Sequence, residues 1–270
     1  MKGSARGAST HIQLHPHFIN RILFYAVGLV AIHTCLPARI VTGADEFRFR
    51  PGLRNSPNEK RLDPIQLKII ARSFREKTGF AELDFDENGF LTLGDRMNFS
   101  GGSASARKLF IAAMEMKQAI NLESWPNSSS ILFARIANRI TYENRATGAM
   151  IKTCSIQIDF SDFSWLQGDK QAMAAFDPGF VIIHELGHAV LGLRDSVDNS
   201  PGDCEEMVNR IRRELNLPER QTYIAPIYSA PTSSNTGRAE LIFKSSVGNA
   251  VPRSIFRLSW DAERVGQSVE

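Results

Sequence analysis

The sequence predicts an α+β domain: a mixed or antiparallel sheet packed on one organising helix. Three observations predict it. Val181–Leu191 is an apolar run with His184-Glu185-Leu186-Gly187-His188 embedded in it. Met150–Phe160 places Ile156, Ile158 and Phe160 alternately with Ser155, Gln157 and Asp159, which reads as a strand with one wet face. Two further stretches, near 63–77 and 104–120, carry helical periodicity behind capping residues.

In chain order, residues 1–21 hold Lys2, Arg6 and Arg21 and no acid, and Ile22–Ala38 holds no charged side chain. A basic stretch before an apolar one predicts an export signal, cleaved after Ala38 or Ala44. Left uncleaved, residues 22–38 would be just long enough to anchor in a membrane. A buried helix of the globular fold is the plain alternative. The expected location is secreted or extracytoplasmic, alternatively membrane-anchored, with residues 1–44 separate from a domain over 45–270. Asp45–Leu62, with Pro51, Gly52 and Pro57, reads as a linker.

Asp63-Pro64 opens a helix through Lys77 that Gly79 closes, with Ile65, Ile69, Ile70 and Phe74 as its apolar face. Phe80–Asp86 and Phe90–Leu93 flank Glu87-Asn88-Gly89 as a hairpin. Asp84, Asp86 and Asn88 have calcium-loop spacing, but Asp95 stands where the loop needs glutamate, which argues against that reading. Ala104–Ile120 reads as a helix with Leu109, Phe110, Ala113, Met116 and Ile120 on one face. Ile131–Ile136 and Met150–Phe160 read as strands joined by a turn over Thr141–Gly148. A half-exposed strand just before the His184 helix could take a substrate backbone by strand addition, or be a plain sheet edge. Asp177 is the expected N-cap of the organising helix, Pro178 its first residue and Gly192 its terminator. Asp203–Asn216 is the next helix. Ala239–Phe243 and Ser254–Leu258 are late strands.

The net charge is +3, and no basic stripe carries interleaved aromatics, so nucleic acid is not an expected partner. Three cysteines, Cys35, Cys154 and Cys204, show no C-x-x-C spacing. With Cys35 removed, Cys154 and Cys204 form either a disulfide or two independent buried thiols.

The chemistry sits in His184–His188. Residues four apart share a helix face, so both imidazoles can reach one Zn2+ ion. Glu185, beside them, can take a proton from water without being a ligand. Catalytic zinc usually has three protein ligands and one open position. One known pattern continues as H-E-x-x-H-x-x-G-x-x-H, or with Asp last. Here Gly192 and Asp195 stand one residue later, and Arg194 fills the nominal position. A one-residue helix extension would bring Asp195 in. Another arrangement takes a Glu from the following helix. Glu205 is favoured because it shares a face with Asn209, whereas Glu206 can form a capping box with Asp203. Arg212 or Arg213 could orient a carboxylate, and Tyr223 could donate to an oxyanion; a helix salt bridge and a packed tyrosine are the plain readings. A protein or peptide substrate is expected. From another class, the domain could be a zinc-stabilised, non-catalytic surface or binding module, and Glu185 separates the two.

At this point the chain resembles a known group. His184–His188, Glu205-Glu206, the segment Val208-Asn209-Arg210-Ile211-Arg212-Arg213-Glu214-Leu215-Asn216-Leu217-Pro218-Glu219-Arg220 and Tyr223 are similar to the effector zinc metallopeptidases, zincin-like domains found in bacterial secreted toxins. Asn216 stands where that group's segment has glycine, and the gap after the metal helix is shorter. The resemblance implies a zincin-like fold, a downstream acidic zinc ligand and zinc-dependent endopeptidase activity.

Overall fold

The computed structural model describes residues 39–41, 50–144, 148, 150–222, 225, 227–229, 237–245 and 254–266, all within the compact unit Pro37–Glu270. The expected signal or anchor over 22–38, Cys35 and Tyr223 lie outside the described residues. Among the described residues no helix is long and apolar enough to cross a membrane.

The architecture is α+β with a mixed sheet. Its elements are β1 (Arg39–Val41), β2 (Gly52–Asn55), α1 (Pro64–Thr78), β3 (Asp84–Phe85), β4 (Leu91–Thr92), α2 (Ala104–Glu115), β5 (Gln118–Ser124), β6 (Ala134–Asn144), β7 (Met150–Ile158), β8 (Gln167–Gly168), α3 (Lys170–Ala174), α4 (Pro178–Leu186), α5 (Asp203–Glu214), β9 (Glu219–Arg220), β10 (Ile227–Ser229), β11 (Gly237–Lys244) and β12 (Ile255–Asp261). The main sheet has the order β1-β6-β7-β5-β2. Only β6 and β7 run antiparallel; the other neighbours are parallel. A second sheet orders β10-β11-β12-β8, with β9 also on β11.

The helices form where their ends are satisfied. Asp63 Oδ1 accepts from the Ile65 and Gln66 amides at 2.8 and 2.9 Å, and Gln66 Oε1 returns the bond to the Asp63 amide at 3.0 Å. Gly79 ends α1 in the left-handed region, with φ of 78°. The buried stripe of α1 runs through Ile70, Phe74 and Lys77, whereas Ile65, expected on the apolar face, is 71 % exposed in the first turn. The second helix is shorter than its periodicity predicts. It stops at Glu115, Met116 is extended, and the expected helical residue Ile120 lies in β5. Lys117 to Ser124 carries no helix terminator, but a strand there pairs with both β2 and β7, which satisfies its backbone on two sides.

One sheet face, with Ile120, Leu122, Cys154, Ile156 and Ile158, belongs to the main core with Phe74, Phe110, Phe180, Ile183 and Ile211. The opposite face corrects the expectation of a wet strand. Ser155 and Gln157 are buried. Ser155 Oγ donates to Glu123 Oε1 at 2.8 Å, Trp125 Nε1 donates to Glu123 Oε2 at 3.1 Å, and Arg54 Nε donates to Asn121 Oδ1 at 2.8 Å. The segment Asn58–Arg61 reaches over this face: Asn58 Nδ2 lies 3.3 Å from Glu123 Oε1, and Arg61 bridges to Glu123. A polar strand face is thus buried because each polar group has a partner. β7 is also interior, paired on both sides, so it offers no edge for strand addition. The strand β6 continues to Asn144 instead of turning at Thr141, and among the described residues β1 pairs with it over Tyr142–Asn144.

A second core gathers Phe133, Phe176, Leu241, Phe243, Leu258 and Trp260. Phe133, at φ 64°, packs edge-on against Phe163, Phe176 and Trp260.

The last residue of α5 caps the first turn of α2. Glu214 accepts from Ser103 Oγ at 2.6 Å, the Ser105 amide at 2.9 Å and Ser105 Oγ at 2.6 Å. Burial opposes its charge, but the bonds from Ser103 and Ser105 win and hold the carboxyl at about 2. The folded value lies below the usual value, so the stabilisation is full above about 4.5 and is lost as pH falls toward 2. Glu214→Gln is expected to lower stability at pH 7 by about 1 kcal/mol or less, since the site is exposed. Urea midpoints measured from pH 6 to pH 3 should fall less steeply for the variant than for the wild type; parallel curves would show that Glu214 contributes nothing to acid sensitivity.

Candidate metal centre

The helix α4 is fixed at its start before it carries any chemistry. Asp177 is its N-cap, accepting from the Phe180 amide at 2.8 Å, and Pro178 follows in the first turn. The other carboxylate oxygen of Asp177 receives Lys77 Nζ at 2.7 Å and Ser73 Oγ at 2.9 Å from α1. Lys77 is buried with its ammonium 4.1 Å from the centre of the Phe180 ring. Gly179 permits this approach, because a Cβ there would lie 2.0 Å from Ser73 Oγ.

The helix does not continue uniformly. Gly187–Leu191, which includes His188, forms a π-helical turn, and the Gly192 amide bonds the Gly187 carbonyl five residues back. Gly192 then ends the helix with φ of 66°. A π turn takes one more residue than an α turn. It therefore absorbs the single residue by which Gly192 and Asp195 overrun the shorter spacing, and the chain turns back with Asp195 over the histidines.

Three groups converge there. His184 Nε2 lies 3.0 Å from Asp195 Oδ1, His188 Nε2 lies 3.2 Å from Asp195 Oδ2, and the two Nε2 atoms are 3.2 Å apart. The far nitrogen of each ring is also engaged. His188 Nδ1 sits 2.7 Å from the Leu193 carbonyl oxygen, which makes Nδ1 the donor, so that in the neutral ring Nε2 carries the lone pair. His184 Nδ1 faces Glu205 Oε2 at 3.3 Å. Cys204 completes the group: ligand atoms of His184, His188, Asp195 and Cys204 all lie within 4.8 Å of one another. Two imidazoles, a carboxylate and a thiol at these separations could hold a metal ion.

Burial opposes charge on both histidines, but Asp195 and Cys204 outweigh it, raising His184 well above its usual value and His188 to about 10. A metal entering the site must therefore displace protons, so its affinity rises with pH. Glu185 is buried beside them. Burial pushes its carboxyl up, and the two imidazoles pull it down.

Glu205 does not enter the cluster. It is 1 % exposed, bonded to Arg212 Nη1 and, at 3.2 Å, to Arg220 Nη1. Burial disfavours its charge, but Arg212 and Arg220 reverse that and hold its carboxyl well below the usual range. It thus stands on the Nδ1 side of His184, where a carboxylate fixes ring orientation and tautomer. Arg212 does meet a carboxylate, as its sequence position suggested, but the carboxylate is Glu205. Arg213 pairs with Glu206 at 3.2 Å and Glu219 at 2.6 Å, the plain salt-bridge arrangement. Glu206 makes no capping box, since the N-cap of α5 is Gly202. The two described cysteines are free: Cys154 accepts from Gln118 Nε2 at 2.9 Å on β7, and Cys204 lies under α4.

Sequence reasoning missed Cys204 and Arg220 as neighbours of the centre. It had no signal for the first beyond adjacency to Glu205, and none for the other. No protein-family model, curated protein or solved structure matches the chain.

Two outcomes follow for this centre. Glu205→Ala leaves Arg212 and Arg220 buried without their carboxylate and is expected to cost about 3–5 kcal/mol in chemical denaturation; a loss below 1 kcal/mol would refute the network's importance. Gly202→Ala is expected to displace the Asp195 loop, because a Cβ there would lie 2.7 Å from the Asp195 carbonyl carbon and 2.3 Å from the Ser196 amide. Metal affinity in a competitive chelator titration should then drop at least about tenfold, as for other groups that support ligands.

Proposed function

We propose that the chain is a zinc-dependent metalloendopeptidase of zincin-like fold, with His184, His188 and Asp195 as zinc ligands and Glu185 as general base. The observation that carries this reading is the convergence of Asp195 on both Nε2 atoms, with Glu185 adjacent. The donor set supports zinc, which takes imidazole and carboxylate ligands. The resemblance of His184–Arg220 to effector zinc metallopeptidases supports it as well. Glu205, favoured from sequence as the third ligand, is reassigned to orienting His184, and Glu206 to the surface.

When bound, zinc supplies Lewis acidity toward a peptide carbonyl and acidifies water to a pKa of about 7. Glu185 accepts the proton of the attacking water and returns it to the leaving amine. A protein or peptide substrate is the expected ligand of this centre. Delivery outside the cytoplasm rests on the composition of residues 22–38 alone.

A second reading, a zinc-stabilised non-catalytic module, is favoured by Cys204, since four protein donors make a closed site. The two separate on the full chain. One zinc per chain is expected in the wild type, lost in His188→Ala and Asp195→Ala. Glu185→Gln should keep the zinc and lose about 10²–10⁴-fold in peptide hydrolysis. Wild-type zinc with no cleavage of a diverse peptide library would favour the module; zinc retained in Asp195→Ala would sink the ligand assignment.

A further inference from the structure

We propose that Cys204 is a reversible fourth ligand, its thiolate closing the metal site at rest. This rests on the zinc reading of His184, His188 and Asp195 and adds regulation of that site. Cys204 is fully buried, and its thiol donates to the His184 carbonyl oxygen at 2.9 Å. Its sulfur is within 4.8 Å of the ligand atoms of the other three residues. Two features of the backbone serve this placement. Gly187 lacks the Cβ that would stand 2.7 Å from Cys204 Sγ, so the π turn can settle onto the sulfur. The Cys204 amide bonds the Arg194 carbonyl at 3.3 Å, which ties the sulfur's residue to the loop that carries Asp195. The next residue, Glu205, holds the far side of His184. The first turn of α5 therefore addresses the centre twice, once through sulfur and once through a carboxylate.

The two states differ by one ligand exchange. In the open state the thiol keeps its proton and its bond to the His184 carbonyl, and the fourth position is left to water. In the closed state the S–H proton passes to solvent, the bond to the carbonyl is lost and a sulfur–metal bond forms. Opening reverses this: water replaces sulfur, and the sulfur regains a proton from solvent. No oxidant or reductant enters. A thiolate donor also biases the centre toward zinc and against the harder magnesium and calcium ions.

Cobalt(II) is the probe, because it takes zinc's position and reports its ligands by absorption. The full chain, stripped of metal and loaded with cobalt, is expected to show visible tetrahedral bands together with a near-ultraviolet thiolate-to-cobalt charge-transfer band. Cys204→Ser should lose the charge-transfer band, keep the visible bands and bind cobalt about 10- to 100-fold more weakly. Cys154→Ser should leave both features intact. Visible bands without charge transfer in the wild type would overturn Cys204 as a ligand while leaving the His184–His188–Asp195 assignment standing. Absence of any cobalt spectrum in the folded wild type would overturn that assignment itself. The wild-type spectrum decides the matter even if Cys204→Ser fails to fold.

Discussion

The buried carboxylate of Glu205 is the interaction on which the rest of this structure depends. A charge with almost no access to water is costly unless it is paired and fully hydrogen-bonded. Glu205 is met by Arg212, Arg220 and His184. Arg212 also donates from Nε to the Ala175 carbonyl at 2.9 Å and from Nη1 to Asn209 Oδ1 at 2.8 Å. Its guanidinium also lies 5.1 Å from the Phe180 ring of the main core and 5.6 Å from the Phe243 ring of the second core. One ion pair therefore joins α5 to α4, reaches β9 through Arg220 and spans both cores. The Nδ1 side of the His184 ring faces this network, 3.3 Å from Glu205.

The organising helix is held from both ends, and the two ends use different physics. At the start, Lys77 and Ser73 neutralise and fix the Asp177 cap from α1. At the finish, the π turn and Gly192 fold the chain back so that the Leu193 carbonyl meets His188. Between these ends Ile182, Ile183 and Leu186 are fully buried. Glu185 sits on the turn that these contacts hold.

Much of the helical framework was legible in the sequence. Asp63 with Pro64, and Asp177 with Pro178, are local signals within a few residues of each other, and each opens the helix it suggested. Gly79 and Gly192 end their helices for the same local reason. Legibility failed where distant partners decide. Ile120 fits a helical face as well as it fits a strand, and only the slot between β2 and β7 selects the strand. Ser155 and Gln157 look solvent-facing until Glu123 and the segment over it are in place. Asp195 is legible in the sequence as an alternative reachable by a one-residue helix extension, and the π turn over Gly187–Leu191 is that extension. Asn216 adopts φ of 56°, a left-handed position that asparagine tolerates better than most residues.

The π turn bears on how such a centre is inherited. In coding terms the spacing found here and the shorter one differ by a single in-frame codon. A chain that gains or loses that codon changes the wind of one helical turn while the same three side chains keep their meeting point. The count of residues between such side chains can then differ while their meeting point stays put, because a π turn takes up the extra residue.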